Sequence, residues 1–353
     1  MALNPSPAAA GVPKALLAVA LLVAAGLGVA GTAVYYDLRG SPNPPAGPQN
    51  VTVVDDLGRV VTAPLNASRL VVLAPNVMDI VYRLGLRDRV VGIGCTTSIV
   101  GGIENEYAPN QTSLWNLSSS MCVTDYPELD TEKVAELDPG LVLASTITSA
   151  TDVTTLSTTY HLPVVILTPS SLTGVVGDVA LVARLYPATA TVATALEAQL
   201  QQTLYNATSF DSNLSTDNGS IPSVFVTYGF YFGTYYTFGP GTFGQSLVEL
   251  AGGSSITAGV PLEYYGVNAS VVLADEPQVI LFGTSWNDPY LVADQTPSVW
   301  NSSAPDWAGL TGTKIPVDVT VLTEPDPTMV LALPWFLHYL HPTLVPAPPG
   351  GLP

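Results

Sequence analysis

Residues 228–239, YGFYFGTYYTFG, set seven aromatic rings among three glycines. The rings are Tyr228, Phe230, Tyr231, Phe232, Tyr235, Tyr236 and Phe238. Aromatic side chains bring large apolar area at low entropic cost, and tyrosine adds a hydroxyl handle, so the chemistry on offer is stacking against a large planar ligand. A predicted strand at Pro222–Thr227 and a predicted helix at Thr242–Leu250 flank the run. That context puts the rings in a loop at the carboxyl edge of a sheet. Alternate rings in such a stretch also pack cores, and about half are expected to do so. The candidate ligand contacts are therefore Tyr228, Phe230, Tyr231, Tyr235 and Tyr236, with Trp286 just after a predicted strand at Val279–Gly283. Tyr107, Trp115 and Tyr126 are the rings that would face them from earlier in the chain.

Other chemistries lack their residues. His161, His338 and His341 are scattered and no carboxylates cluster with them, so a transition-metal cage is not expected. There is no Gly-rich phosphate loop and no Gly-x-Ser-x-Gly, and neither covalent catalysis nor a resident cofactor is implied. Arginine ends at Arg184, leaving Lys314 as the one base beyond it, which rules out bidentate guanidinium recognition of an anion from that half. The balance of 28 acids against 10 bases, net charge −18, argues against nucleic acid or anionic lipid as partners.

The elements that would position the rings read as α/β. Leu70–Ala74 is an apolar run stopped by Pro75-Asn76, the pattern of a strand buried on both faces. Ile80, Val81, Leu84 and Leu86 follow at helical spacing with Gly85 as a stop, and Val90, Val91 and Ile93 form the next strand. In this β-α-β unit Asn76 points to the crevice at the strand end and joins the candidate ligand residues. Residues 131–143, TEKVAELDPGLVL, and 269–281, ASVVLADEPQVIL, repeat one order of events: short helix, proline, buried strand. That echo predicts two lobes on one plan. Between them Leu172–Leu185 is helical, and Val192, Leu196, Leu200 and Leu204 line one face of a second helix over 187–205. A polar loop is expected at 206–220.

The remaining signals point to export. Residues 15–36 carry no charge and are long enough to cross a bilayer core, which needs about 20 residues. A retained signal-anchor is favoured over a cleaved peptide, for which Gly31-Thr32-Ala33 would serve as a weak site. Ser41–Pro48 then forms an extended spacer. Nine Asn-x-Ser/Thr sequons all follow that segment, at Asn50, Asn66, Asn110, Asn116, Asn206, Asn213, Asn218, Asn268 and Asn301. Cys95 and Cys122 are expected to pair in an oxidising exterior, two separate buried thiols being the alternative.

The opening of the folded part resembles the extracellular substrate-binding proteins of ABC importers for cobalamin, iron-siderophore complexes and haem. The resemblance rests on Asp55, Gly58, Arg59, Val61, Pro64, Arg69, Pro75, Gly85 and Gly92, in that order. It continues through the 131–143 segment, where Gly140 replaces the family's Asp. No cysteine near the apolar segment could carry the lipid found on many bacterial members. The resemblance implies an α/β fold of two Rossmann-like lobes joined by one long rigid helix, here preceded by a transmembrane helix. The implied boundaries are 1–14 cytoplasmic, 15–36 anchor, 37–50 linker, 51–172 first lobe, 173–206 linker helices, 207–345 second lobe and 346–353 a disordered tail. It implies capture of an iron chelate, haem or a corrinoid between the lobes, with Tyr126 as a contact, and delivery to an ABC permease dimer. It also implies that Glu132, in Asp130-Thr131-Glu132, and Glu249, four residues before Gly253, dock into that permease. The expected location is the cell surface. Competing readings are a scaffold or adhesion protein that kept the fold, a chelatase-like enzyme, and a tyrosine-ligated Fe(III) binder.

Overall fold

The computed structural model describes residues 49–94, 121–125, 128–216, 220–231, 234–284 and 307–350. The segment 15–36 lies outside them, and among the described residues no helix is long and apolar enough to cross a membrane. An antiparallel hairpin opens the fold, with β1 (Asn50–Val54) paired to β2 (Val60–Pro64). Asp55 organises its turn. One carboxylate oxygen accepts from the Leu57 and Arg59 amides, and the other pairs with the Arg59 guanidinium and accepts from the Ile166 amide at 3.2 Å. The hairpin is thereby fastened to the sheet that follows.

That first sheet is parallel throughout, in the order β4 (Val90–Ile93), β3 (Leu70–Val72), β7 (Leu141–Ala144), β8 (Val164–Ile166). Every residue of β3, β7 and β8 is buried, as their unbroken apolar runs require of strands covered on both faces. Helix α1 (Pro75–Arg83) leaves β3 with proline in its first turn, where a missing amide hydrogen does no harm. A small hairpin, β5 (Thr124–Asp125) with β6 (Glu128–Leu129), leads to α2 (Thr131–Glu136), whose first turn is capped by the Asp130 carboxylate. Helix α3 (Ala150–Thr154) precedes β8 and runs into a π turn at Thr155–Thr159. Helix α4 (Leu172–Leu185) leads to α5 (Ala190–Thr216).

Helix α5 is 27 residues long and corrects the polar loop expected at 206–220. Its apolar stripe continues past Leu204: Ala207 and Leu214 are buried with Leu196 and Leu200. The polar residues between them face water, so composition suggested a loop where the spacing of a few apolar side chains holds a helix.

The second sheet is mixed. Its path is β12 (Tyr264–Val267), β10 (Thr234–Phe238), β9 (Ser223–Tyr231), β13 (Val279–Thr284), β14 (Thr313–Asp318), with the short β11 (Ser254–Ser255) also paired to β9. Strands β9, β13 and β14 are parallel, while β10 runs antiparallel to both β9 and β12. The aromatic run is therefore two strands of a hairpin, a correction to the expected loop. Helices α6 (Phe243–Leu250), α7 (Ala269–Asp275), α8 (Val319–Thr323) and α9 (Pro327–Leu340) complete this part. One cluster of buried side chains includes Leu70 and Val72 of the first sheet, Leu200 of α5, Val224 and Val226 of the second sheet, and Phe336 of α9. The two sheets thus share a core through the helices between them.

Candidate ligand-binding site

Ligands of open α/β sheets bind beyond the carboxyl ends of parallel strands, so the site is built from what lies there. In the second sheet a β-bulge decides it. Tyr236 pairs with Gly229 but the next residue, Thr237, pairs with Thr227, so Tyr228 is the extra residue on β9. Two features hold the bulge. The Thr227 hydroxyl, fully buried, lies 3.0 Å from the Gly229 carbonyl and 2.8 Å from that of Tyr236, and donates to this pair. On the neighbouring strand, a Cβ at Gly283 would stand 3.0 Å from the Tyr228 Cα and carbonyl oxygen, so only glycine lets the bulged backbone come this close.

The extra residue sorts the rings onto opposite faces. On one face Tyr235, with no exposed surface, packs against Phe225 at 5.9 Å, Phe230 at 5.0 Å and Trp307 at 6.3 Å between centroids. On the other, Tyr228 lies 4.9 Å from Phe238, 6.2 Å from Tyr236 and 6.4 Å from Tyr264, which pairs with Phe238 across β10 and β12. Phe238 is buried beneath this group, Tyr228 and Tyr236 are half-buried, and Tyr264 is 54 % exposed. The result is a platform with an apolar base and hydroxyl-bearing rings above it.

The platform corrects several expectations. Tyr235 belongs to the core, and Phe230 packs against it. Tyr228 and Tyr236 remain on the open face, joined by Tyr264, which sequence reasoning missed because it lies 26 positions beyond Phe238 with only Tyr265 beside it. Tyr107, Trp115, Tyr126, Phe232 and Trp286 lie outside the described residues, as does the side chain of Tyr231. Asn76 is 3 % exposed, and its side-chain nitrogen donates to the Leu167 carbonyl at 3.1 Å. It ties the end of β3 to the end of β8 and does not face a crevice. The hydroxyl groups at the first sheet's carboxyl edge are instead those of Thr146 and Thr168, 2.9 Å apart and exposed, beside Ile147, 59 % exposed. Threonines just past two buried strands were the available signal.

The electrostatics are one-sided. Burial, then the neighbouring Tyr264 and Tyr236, push the Tyr228 phenol up to about 12. Tyr264 is raised by burial and by the carboxylates of Glu263 and Glu324. Both phenols are neutral hydroxyls at physiological pH. Beside Glu324, Asp326 caps α9 by accepting from the Met329 amide at 2.8 Å. It is held well above the usual carboxylate range, by burial first and then by the charge of Asp79. Asp79 comes from α1, which follows the first sheet. It receives Arg83 Nε at 2.8 and 2.9 Å, the Thr328 amide at 3.0 Å and the Thr328 hydroxyl at 3.1 Å. Glu324 and Asp326 thus lie on the turn from α8 to α9, which meets α1 through Asp79 and Thr328.

The histidines do other work. His338 Nδ1 is 2.8 Å from the Val345 carbonyl, and His341 Nε2 is 3.1 Å from that of Gly252, so both fasten the end of α9. Glu132 and Glu249 are exposed, on α2 and α6, the latter accepting from Gln245 Nε2 at 2.8 Å. Cys122 is buried and bridges to Ile93 beside β4, and Cys95 lies outside the described residues. Of the sequons, Asn50, Asn66, Asn206, Asn213 and Asn268 are exposed, and Asn110, Asn116, Asn218 and Asn301 lie outside the described residues.

A parallel sheet, a long helix and a second, mostly parallel sheet with an aromatic carboxyl edge define a binding-protein architecture of the α/β type. Comparison with known proteins agrees. The family described as periplasmic binding protein matches residues 70–301. This chain belongs to that family. It is 27 % identical over 304 residues to a cobalamin-binding protein of Halobacterium salinarum, a match covering 84 % of this chain and 75 % of that one. Its fold is similar to the periplasmic vitamin B12 binding protein of Vibrio cholerae, with TM-score 0.58, 18 % identity, and 78 % and 98 % of the two chains covered. It is also similar to a periplasmic haem-binding protein of a Roseiflexus species, with TM-score 0.60, 19 % identity, and 78 % and 99 % covered.

Proposed function

We propose that this protein is the substrate-binding component of an ABC importer and captures a large ring-bearing metal complex, with a corrinoid as the first choice. The observation that carries the reading is the half-exposed platform of Tyr228, Tyr236 and Tyr264, which a bulge lifts out of a strand pair whose other face is core. Rings over a buried Phe238 suit a flat, partly apolar ligand, and their hydroxyls suit a polar periphery. The relative named as cobalamin-binding supports the choice. Two lobes, 51–172 and 207–345, would close on the ligand from the two carboxyl edges, with Tyr107, Trp115, Tyr126 and Trp286 as further contacts. Delivery would use Glu132 and Glu249, one from each lobe and both exposed, against a permease of two similar halves. Residues 15–36 would anchor the receptor at the cell surface. The exposed sequons would carry glycans, and Cys95 would close a disulfide with Cys122, in keeping with the absence of a free cysteine among the described residues.

The test is the visible absorption spectrum of protein purified from its native membrane, followed by titration with cyanocobalamin. Corrinoid bands that co-purify, and binding that weakens at least about tenfold in Tyr236→Ala, the scale of a buried aromatic anchor, are expected. Protein that is colourless and binds no corrinoid, haem or ferric chelate would point instead to a surface scaffold.

A further inference from the structure

We infer that Asp56 is a positioning residue of the ligand site, fixing Thr168 at the carboxyl edge of the first sheet so that Thr168 and Thr146 offer their hydroxyls to the ligand, and that buried Asp178 lends the proton that holds Asp56 there. The inference deepens the reading above and rests on the protein being a receptor. Strand β8 is the last in the first sheet's order, so one of its sides has no neighbouring strand to bond. Val164, Ile166 and Thr168 turn backbone groups to that side, and the turn of the opening hairpin meets them in series. The Arg59 guanidinium donates to the Val164 carbonyl at 3.1 Å, and Asp55 accepts from the Ile166 amide at 3.2 Å. The Asp56 amide donates to the Ile166 carbonyl at 3.2 Å, and the Asp56 carboxylate accepts from the Thr168 amide just past the strand end. Thr168 Oγ1 in turn accepts from the Thr146 amide at 3.3 Å and lies 2.9 Å from the Thr146 hydroxyl. One hydroxyl proton is spent between the two side chains, which leaves the other to donate and free lone pairs to accept. Such a pair suits an amide or carbonyl group on a ligand's periphery.

Asp178, on the helix α4 that follows β8, is 2 % exposed and within hydrogen-bond reach of Asp56. Its Oδ2 meets no donor among the described residues. Two carboxylates this close, one of them buried, do not both stay charged without a donor between them, so Asp178 keeps its proton and gives it to Asp56. Burial first, and then Asp56, push Asp178 up to about 9. The hairpin's other charges, Asp55 and Arg59, are paired with each other. Of the helices packed on α4, α1 carries the Asp79–Arg83 pair, α5 Glu197 and Asp211, α6 Glu249, and α9 His338 and His341, but Asp56 is the charge that acts on Asp178. As pH rises toward that value the proton is lost, the two anions repel, and Asp56 lets go of Thr168.

The experiment uses the full-length chain, with cyanocobalamin and haemin as calorimetric probes and hydrogen exchange read at the amide of residue 168. At neutral pH, Asp56→Ala should speed that exchange and weaken probe binding at least about fivefold, the scale of one hydrogen bond. The double variant Thr146→Val, Thr168→Val should weaken binding about as much and leave the exchange slow. Asp56→Asn keeps an oxygen for the Thr168 amide and can donate its own N–H to the bare Asp178 oxygen, so it should recover most of the affinity. Between about pH 7 and about pH 9.5 the wild type should lose affinity about fivefold, whereas Asp178→Asn, confirmed folded by circular dichroism, should hold it. Unchanged affinity in the threonine variant, unchanged exchange in Asp56→Ala, or a pH profile that Asp178→Asn does not flatten would overturn the inference and leave the receptor reading in place. Wild-type protein that binds neither probe would end the receptor reading and this inference with it.

Discussion

Asp79→Ala tests whether the two sheets are held together by the α1–α9 contact. The Asp79 carboxylate is 8 % exposed and accepts from Arg83 Nε and from both the amide and the hydroxyl of Thr328. Thr328 is the second residue of α9, so this carboxylate from another element occupies the amide-rich start of that helix. Severing a fully buried ion pair by removing one partner costs about 3–5 kcal/mol. Here the Arg83 side chain is 23 % exposed and can partly rehydrate, which lowers the cost. A second term opposes the loss, because Asp326 no longer faces the Asp79 charge that helps to raise it. The expected net destabilisation is about 2–3 kcal/mol. Asp79→Asn, which keeps an acceptor for Thr328, should cost about 1 kcal/mol. Urea denaturation at neutral pH should show a lower midpoint at unchanged slope, since no surface changes hands in the folded state. Hydrogen exchange at the Thr328 amide should accelerate in parallel. A loss below about 0.5 kcal/mol, the range of a neutral surface change, with Thr328 still protected would refute the reasoning.

Four further outcomes follow from the same structure. Tyr235→Ala should destabilise the fold by about 3–5 kcal/mol, as for other buried aromatic truncations, whereas Tyr236→Ala should leave the urea midpoint nearly unchanged and weaken ligand binding; the reverse pattern would show that the faces were misassigned. Gly283→Ala should disturb the bulge through the Tyr228 backbone 3.0 Å away, seen as loss of ligand affinity beyond the loss of stability. Asp178 is raised from 3.8 to about 9, by burial first and then by Asp56, so the folded state holds its proton more tightly than the unfolded chain does. Its stabilising contribution is complete below about pH 3.8 and shrinks as pH climbs to about 9; Asp178→Asn, whose amide N–H can donate to Asp56 at any pH, should flatten that decline in denaturation midpoints between pH 5 and 9. Exchanging Glu132 and Glu249 together for Gln should abolish uptake by cells while calorimetry finds ligand affinity unchanged, and intact uptake would remove them from docking.

The scaffold was legible because its strands are written in one unambiguous alphabet. Leu70–Val72 and Leu141–Ala144 are continuous apolar runs ended by polar or breaking residues, and both are fully buried parallel strands. Helix α5 was read short because its later turns keep the apolar spacing with only Ala207, Phe210 and Leu214 while glycine-free polar residues fill the rest. Asn76 shows the opposite failure. Its place at a strand end was read correctly, but whether a side chain there turns to a ligand or to Leu167 depends on the end of β8, 91 residues away. Tyr264 could not be joined to the aromatic run from spacing alone, since strand pairing with Phe238 brings it there.

The bulge at Tyr228 explains why the densest aromatic stretch in the chain can serve two purposes. In a regular strand pair the side-chain period is two, so alternate positions of β9 would keep to a single face along its whole length. The rings of Phe225 and Phe230 are five residues apart, and by strict alternation would point to opposite faces, yet both pack with Tyr235. One inserted residue makes that possible and leaves Tyr228 on the side of Tyr236 and Tyr264. The core on that face is then sealed by Phe225, Tyr235 and Trp307 without drawing on the platform rings, while Phe238 and Tyr228 pack against the core on the other face. It follows that ligand contact and folding are separable here at single residues, which is why Tyr235 and Tyr236, neighbours in sequence, are expected to fail in different assays when truncated.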